Sequence, residues 1–394
     1  MYVPRPIYEK NLTNAVGGHL NPFITGENGS GKSWLYKKVF KDSSIFWVVA
    51  NAAMALRTGS LVEAIAGTCH PTGEKSLSTI DEKKLTKLGI PALGGELASS
   101  RKYAFSTGDP LFKAFSTVRS RAKKSRAFIV LENLELLSGE ETLLKELAGL
   151  VTILDDDAFS KFDVRFLLVG TATDVSTYFS EVKSLSTVVN RISELPVLRR
   201  FTQQQTTKLV ETGFIELLEV NDFTNRLLDY WSQHIQHVTL GVPQRIQEYC
   251  RFLAIRLKDS NWQPSISLLK LADLDYIGSG FQHAKTAIQN HFYFGPKKLS
   301  RTNQVIFSIS RIARSSFTTD LVNTIFRSEF PGSARTLKTL PTNKILFKLC
   351  KSELPLLRYN SVRNEFHFVD SRYQIALRIL ATKETEGKIN LGAS

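Results

Sequence analysis

The chain has 394 residues, 42% of them hydrophobic, with 51 lysines and arginines against 37 aspartates and glutamates, a formal charge of +14. That length admits roughly two or three domains, each with its own core, and the charge favours a polyanionic partner. Cys69, Cys250 and Cys350 stand far apart with no C-x-x-C spacing and no clustered histidines, a pattern that argues against a disulfide framework and a structural zinc and fits a reducing compartment.

In chain order, Tyr2-Val3-Pro4-Arg5-Pro6 reads as extended, because each proline biases its predecessor away from helix; a helix of about ten residues follows. Arg5 reads as a surface arginine, with a place near the nucleotide site described below as the alternative. The opening MYVPRPIYEK has no apolar signal-peptide core, and the most apolar run, Ser44 to Leu56, is shorter than the roughly 20 residues of a membrane span and contains Asn51. A cytoplasmic protein without a membrane partner is expected.

Pro22-Phe23-Ile24-Thr25 predicts a short buried strand, and Gly26-Glu27-Asn28-Gly29-Ser30-Gly31-Lys32-Ser33 fits G-x-x-x-x-G-K-[ST] without a mismatch. The glycines let the loop turn its N–H groups inward, and the helix that follows from Trp34 aims its positive dipole end at the same anion. These eight residues are the predicted ATP-binding loop. Lys32 reaches the β- and γ-phosphates, and Ser33 holds Mg²⁺.

Ser44 to Val49 then reads as a buried strand, Met54 to Ile65 carries helical spacing, and His70 to Phe105 is a polar, Gly/Ser-rich stretch too long for a simple connection. It reads equally as a functional loop or as plain surface. A helix over Pro110 to Lys124 feeds the apolar strand Phe128-Ile129-Val130-Leu131, which ends in Glu132-Asn133. In P-loop ATPases the first residue after such a strand is usually an aspartate that holds the Mg²⁺ shell, followed by a glutamate that orients the attacking water. Glu132 takes the first place. Asn133 takes the second, and an amide accepts no proton from water, so slow hydrolysis is expected. That expectation holds unless another carboxylate replaces the missing base; Glu135 is the nearest spare by sequence, and a residue that simply faces solvent is the alternative reading of it.

Glu140 to Leu154 predicts an amphipathic helix, Val164 to Thr173 a buried strand with Thr171 and Thr173 at its carboxyl end, and Ile192 to Val197 a fifth strand just after Arg191. Strands alternating with helix-length sequence predict an α/β fold: a P-loop parallel sheet covered by helices. From Thr202 the pattern becomes helix after helix, over 204–212, 223–235 and 243–257, with Pro243 opening the last. From Gln304 it reads helix, short extended piece, helix, a turn at Pro331-Gly332, helix, a hairpin over Leu356 to Val369 and a final helix, similar to a winged helix. The expected organisation is an ATPase core over 1–200, a helical lid over 201–260, a helical connector over 261–300 and a winged-helix-like domain over 301–394. Between Lys297 and Lys351 eleven lysines and arginines face only Asp320 and Glu329, an excess of nine positive charges.

Taken together, GENGSGKS, FIVLEN, the strand ending in Gly170-Thr171, VVNRISELPV and GVPQRIQEYCRFLA resemble the AAA+ ATPases of the initiator and transposition-helper kind, and the bacterial AAA-family ATP-binding proteins in particular. The resemblance implies that Thr171 or Thr173 is the first sensor residue. It makes Arg191 the arginine that one subunit donates to a neighbour's γ-phosphate. It puts the second sensor at Gln244 or Arg245; the usual spacing would set an arginine at 244, where this chain has glutamine. A salt bridge on the strand rim is the alternative for Arg191. The implied protein is a nucleotide-switched, DNA-associated homo-oligomer. The alternative is an ATP-binding signalling or defence switch whose C-terminal domain grips a protein effector.

Overall fold

The first strand, β1 (Asn21–Thr25), lies inside a parallel sheet with β2 (Phe46–Asn51), β3 (Ala127–Glu132), β4 (Val164–Gly170) and β5 (Ile192–Glu194), in the order β2-β3-β4-β1-β5. The structure, a computed structural model, describes residues 2–69, 108–171, 188–295, 299–314, 316–335, 340–361, 363–385 and 387–392. The insertion His70 to Phe105, Thr173, Lys297, Lys298 and Lys338 lie outside these residues. The chain divides into two units, Tyr2–Arg199 and Arg200–Ser394.

Alternation along the central strands explains why both faces of the sheet are covered. Phe23, Ile129, Leu131, Phe166 and Leu168 point to one face, where α3 (Ala52–Thr58), α4 (Leu61–Cys69), Pro110–Ala122 and Glu141–Ile153 pack. Ile24, Phe128, Val130, Leu167 and Val169 point to the other, against α1 (Pro6–Gly17) and α2 (Lys32–Asp42). Strands buried on both faces read as unbroken apolar runs, which is how these appear in the sequence. Phe128, Ile129 and Val130 are fully buried, and each such side chain contributes about 1.5–3 kcal/mol. That packing fixes β3, and with it the position of Glu132 at its end.

Some elements depart from expectation. The helical spacing over 54–65 resolves into two helices, because Gly59 takes a left-handed φ of 76° and ends α3, while Glu146 receives the backbone N–H groups of Leu61 and Val62 at the start of α4. The fifth strand is shorter than predicted and stops at Glu194, although Leu198 still bridges Gly26.

The second unit begins with a helical series, Gln203–Glu211, a π-helical turn Thr212–Leu217, Asn225–Thr239 and Pro243–Asp259. Thr202 and Gln205 cap the first reciprocally, and Pro243 stands in the first turn of the last. Further on, Arg301–Ser310, Thr319–Glu329 and Thr342–Cys350 accompany an antiparallel sheet β6-β8-β7 (Ser316–Phe317, Glu365–Phe368, Leu357–Asn360). The predicted hairpin is therefore present, pairing Leu357 with Phe368 and Asn360 with Glu365. Pro331-Gly332 opens a short helix, Pro331–Arg335, where a turn was expected, since proline suits a first helical position. The final helix, Ser371–Leu380, is followed by an unexpected hairpin of β9 (Ala381–Lys383) and β10 (Ile389–Leu391).

Within this unit the Arg311 guanidinium donates to His237 Nε2 at 3.1 Å, and Arg378 donates to the His237 carbonyl. Arginine cannot accept, so His237 holds its Nε2 bare and is neutral. Burial, followed by the charges of Arg378 and Arg311, pushes its pKa down to about 4 from an ordinary 6.5. Because the folded value lies below the unfolded one, the unfolded chain binds the proton first. Stability is thus expected to fall as pH drops from 6.5 towards about 4 and to level off below. Urea midpoints measured across this window should fall further in the parent than in His237→Gln; equal losses would remove His237 as the cause.

Candidate nucleotide-binding site

The site is built where β1 hands over to α2. Gly26 is glycine for a steric reason: a Cβ there would meet the Leu198 carbonyl oxygen at 2.7 Å and the Ser30 hydroxyl at 2.8 Å. Gly31, the residue before α2, takes φ 95°, a left-handed conformation that L side chains rarely adopt. Between them Ser30 is fully buried, and its N–H bonds the Glu27 carbonyl at 3.1 Å. Asn28 is exposed at the loop tip.

Lys32 folds over this loop, its ammonium donating to the carbonyls of Gly26 at 2.8 Å and Glu27 at 3.1 Å. Burial lowers its pKa, and the carboxylates of Glu135, Glu27 and Glu132 oppose that lowering, in that order. Ser33 donates its hydroxyl to Glu132 Oε1 at 2.6 Å, and Tyr36 donates to the same oxygen at 3.0 Å. Tyr36 stands three residues after Ser33 on α2 and so shares its face, a spacing visible in the sequence that sequence reasoning did not use. The carboxylate also keeps the Tyr36 hydroxyl protonated: burial raises its pKa well above the ordinary value, and the Glu132 charge adds to the shift.

The two residues predicted to hold Mg²⁺ are thus in direct contact. An octahedral Mg²⁺ at about 2.0–2.1 Å usually binds one or two carboxylates, with the rest of its shell from phosphates and waters. One serine hydroxyl beside one glutamate fits that demand. Among the described residues no group of three or more His, Cys, Asp or Glu side chains forms a closed metal cage.

Asn133 has a left-handed backbone, φ 62° and ψ 38°, a conformation asparagine tolerates better than most residues. Its amide donates to Asn51 Oδ1 at 3.0 Å, and Asn51 also accepts the Ala53 N–H at the start of α3. Asn51 is paired with Glu132 in the β2–β3 register, which is why the two amides meet. Thr171 follows the last residue of β4, whose Gly170 pairs with Thr25, so it lies at the same carboxyl-terminal sheet edge as the loop. Open parallel sheets bind ligands at that edge.

Arg5 corrects the sequence reading. It is 3% exposed, donates to the Ser30 carbonyl at 2.8 Å and to the Arg199 carbonyl, and lies over the Tyr8 ring. It braces the loop from beneath. Arg191 instead sits at the amino-terminal edge: its carbonyl accepts from the backbone and side chain of Asn21, and its guanidinium pairs with Asp155 at 2.5 Å. Arg245 belongs to the second unit, where it pairs with Glu248 at 2.8 Å; Gln244 donates to the other Glu248 oxygen at 2.9 Å.

No protein-family model matches the sequence, and no curated protein matches it. Solved structures do match over nearly the whole chain. A Walker-type ATPase of Pyrococcus abyssi is 12% identical over 96% of this chain and 96% of its own, with a TM-score of 0.51. The ORC1 protein of Aeropyrum pernix, in a complex with DNA, is 12% identical over 96% of this chain and 93% of its own, with a TM-score of 0.46. A RuvB variant of Thermotoga maritima is 11% identical over 95% of each chain, with a TM-score of 0.41. The likeness to the Pyrococcus protein is one of fold, and it agrees with the α/β P-loop sheet expected from the sequence.

Proposed function

We propose that this chain, an AAA+ P-loop ATPase by fold, binds Mg²⁺ and ATP, hydrolyses ATP slowly, and uses the nucleotide to control an assembly on duplex DNA. The observation that carries the reading is the complete loop on its strand and helix, with Ser33 bonded to Glu132 at 2.6 Å. Backbone N–H groups of Glu27 to Ser33 and the Lys32 ammonium would receive the phosphates; Ser33 and Glu132 would hold the Mg²⁺. When bound, the metal would neutralise charge on the phosphates. Asn133, tied to Asn51, can hold a water but not deprotonate it.

In the same reading, residues 1–200 are the ATPase core, 201–260 a helical lid carrying Arg245 as second sensor, 261–300 a connector and 301–394 a winged-helix-like domain. Thr171 serves as first sensor. The DNA part rests on charge. Arg311, Arg314, Arg327, Arg335, Lys344, Lys348 and Lys351 are all exposed, and Lys344 and Lys348, four apart, share one face of the helix Thr342–Cys350.

Lys344→Gln, Lys348→Gln and Lys351→Gln combined should weaken duplex binding on every sequence alike. Each lost phosphate contact flattens the salt slope by about one. Fluorescence anisotropy against a labelled duplex over a salt series, with and without ATP, is the measurement. A parent that binds no duplex, or a triple variant with the parent's affinity and slope, would remove the DNA reading; recovery of a bound protein in its place would favour an effector-gripping switch.

A further inference from the structure

Glu132 is one methylene longer than the aspartate usual at its position, which adds a rotatable bond between the strand and the carboxylate. A longer arm needs more to hold it. Two hydroxyls of α2 do so, Ser33 at 2.6 Å and Tyr36 at 3.0 Å, and both donate to Oε1. Oε2 accepts no hydrogen bond among the described residues, and it is not shut off from solvent.

The two donors differ in what else they can do. Ser33 can give an oxygen lone pair to a metal while its hydrogen stays on Glu132. Tyr36 is fully buried, its ring set edge-on against Phe40 at 5.7 Å and 61°, and Phe40 packs in turn on Trp47 and Phe128. Phe128 belongs to β3, so one apolar cluster fixes both the Tyr36 hydroxyl and the strand that carries Glu132. A buried tyrosine hydroxyl needs a partner, and Glu132 is its one hydrogen-bond partner among the described residues. Phenylalanine would fill the same apolar space without that need. Packing alone therefore does not account for a tyrosine at 36.

We propose that Tyr36 is a positioning residue for the Mg²⁺ site: its hydroxyl, set by the core, pins Glu132 Oε1, keeps Oε2 available to the metal's shell, and so sets how tightly the site takes the metal. The inference rests on the Mg²⁺ and ATP reading above. Tyr36 acts through Glu132 and touches neither phosphate nor reacting atoms in this role. Because its bond to the carboxylate is already made in the unliganded protein, part of the ordering cost of metal binding is met beforehand.

The test is binding of Mn²⁺, a paramagnetic stand-in for Mg²⁺, followed by electron paramagnetic resonance on ADP-loaded protein. It compares the parent, Tyr36→Phe, Glu132→Ala and the double variant. ATP affinity in EDTA is measured in parallel by calorimetry, and circular dichroism checks the fold. Tyr36→Phe should raise the Mn²⁺ Kd about 10- to 100-fold, as loss of an outer-shell partner does, with the ATP Kd in EDTA at the parent's value. In the Glu132→Ala background the same change should cost no further metal affinity, because the hydroxyl then has no carboxylate to hold. A Mn²⁺ Kd unmoved by Tyr36→Phe, or moved equally with and without Glu132, would overturn the assignment and leave the ATP reading standing. So would an ATP Kd in EDTA that rises as steeply as the Mn²⁺ Kd, or a Tyr36→Phe chain that does not fold, since Tyr36 would then support the loop or the core rather than the carboxylate. A parent that binds ATP but no Mn²⁺ removes the metal site and the role of Tyr36 with it; a parent that binds no ATP removes the whole reading.

Discussion

Lys32→Ala is expected to abolish useful ATP binding. The Lys32 ammonium is held by the Gly26 and Glu27 carbonyls at the mouth of the loop, and its transfer to a polyphosphate replaces those neutral acceptors with charged ones. Charge-assisted hydrogen bonds contribute about 1.5–3 kcal/mol each. Losing two of them raises Kd by about 10²- to 10⁴-fold. Burial already lowers the Lys32 pKa, so the ammonium is held partly desolvated, where an anion is worth more to it than in water. Calorimetric titration with ATP and Mg²⁺ gives the affinity, and circular dichroism establishes that the variant is folded. A folded Lys32→Ala protein with the parent's Kd would end the ATP reading, and with it every role assigned around the loop.

The loop was legible because its pattern couples a local conformational need with a chemistry. Gly26 must be small against Leu198, Gly31 must be left-handed, and Lys32 and Ser33 must follow at once; all four requirements fall within eight consecutive residues. The sheet was legible for a different reason. β3 and β4 are apolar runs because both of their faces are covered, and a continuous run leaves few alternatives.

What escaped the sequence depends on partners far along the chain. Arg5, set between two prolines, looks exposed, yet it bonds carbonyls 25 and 194 positions away. The tie between Asn133 and Asn51 spans 82 positions and exists only because of the β2–β3 register. The left-handed backbone at Asn133 adds a second reason for asparagine there, beside the chemical one. A glutamate at this position would have to adopt φ 62° and would set an acceptor against Asn51 Oδ1, so Asn133→Asp, which tolerates the conformation better, is the milder probe of a restored carboxylate. In the second unit the Ala381–Leu391 hairpin was missed although Gly387, at φ 79°, supplies the turn residue it needs.

Arg191 carries the prediction of largest expected effect. In β1 a rise of about 3.3 Å per residue separates Asn21 from Thr25 by roughly 13 Å. Arg191 is bonded at the Asn21 end, and the phosphate loop starts at the Thr25 end. Under the proposed function a nucleotide on its own loop would lie at the opposite edge of the sheet, and any action of Arg191 on a γ-phosphate would be on that of a neighbouring subunit. The Arg191 side chain is 27% exposed and that of its partner Asp155 is 62% exposed; an exposed ion pair is worth about 0–1 kcal/mol, small beside a bidentate contact with phosphate. An arginine given in trans accelerates phosphoryl transfer by about 10³- to 10⁵-fold. Arg191→Ala should therefore lose about 10³-fold or more in kcat within an assembly and leave ATP binding by the isolated chain intact. The decisive experiment mixes two inactive proteins. Arg191→Ala keeps its loop and Lys32→Ala keeps its arginine, so co-assembly should return phosphate release that neither shows alone, at a fraction set by the number of mixed interfaces. Arg191→Ala turning over like the parent, or a mixture as inactive as its components despite co-assembly by mass, would leave Arg191 as the rim partner of Asp155 alone.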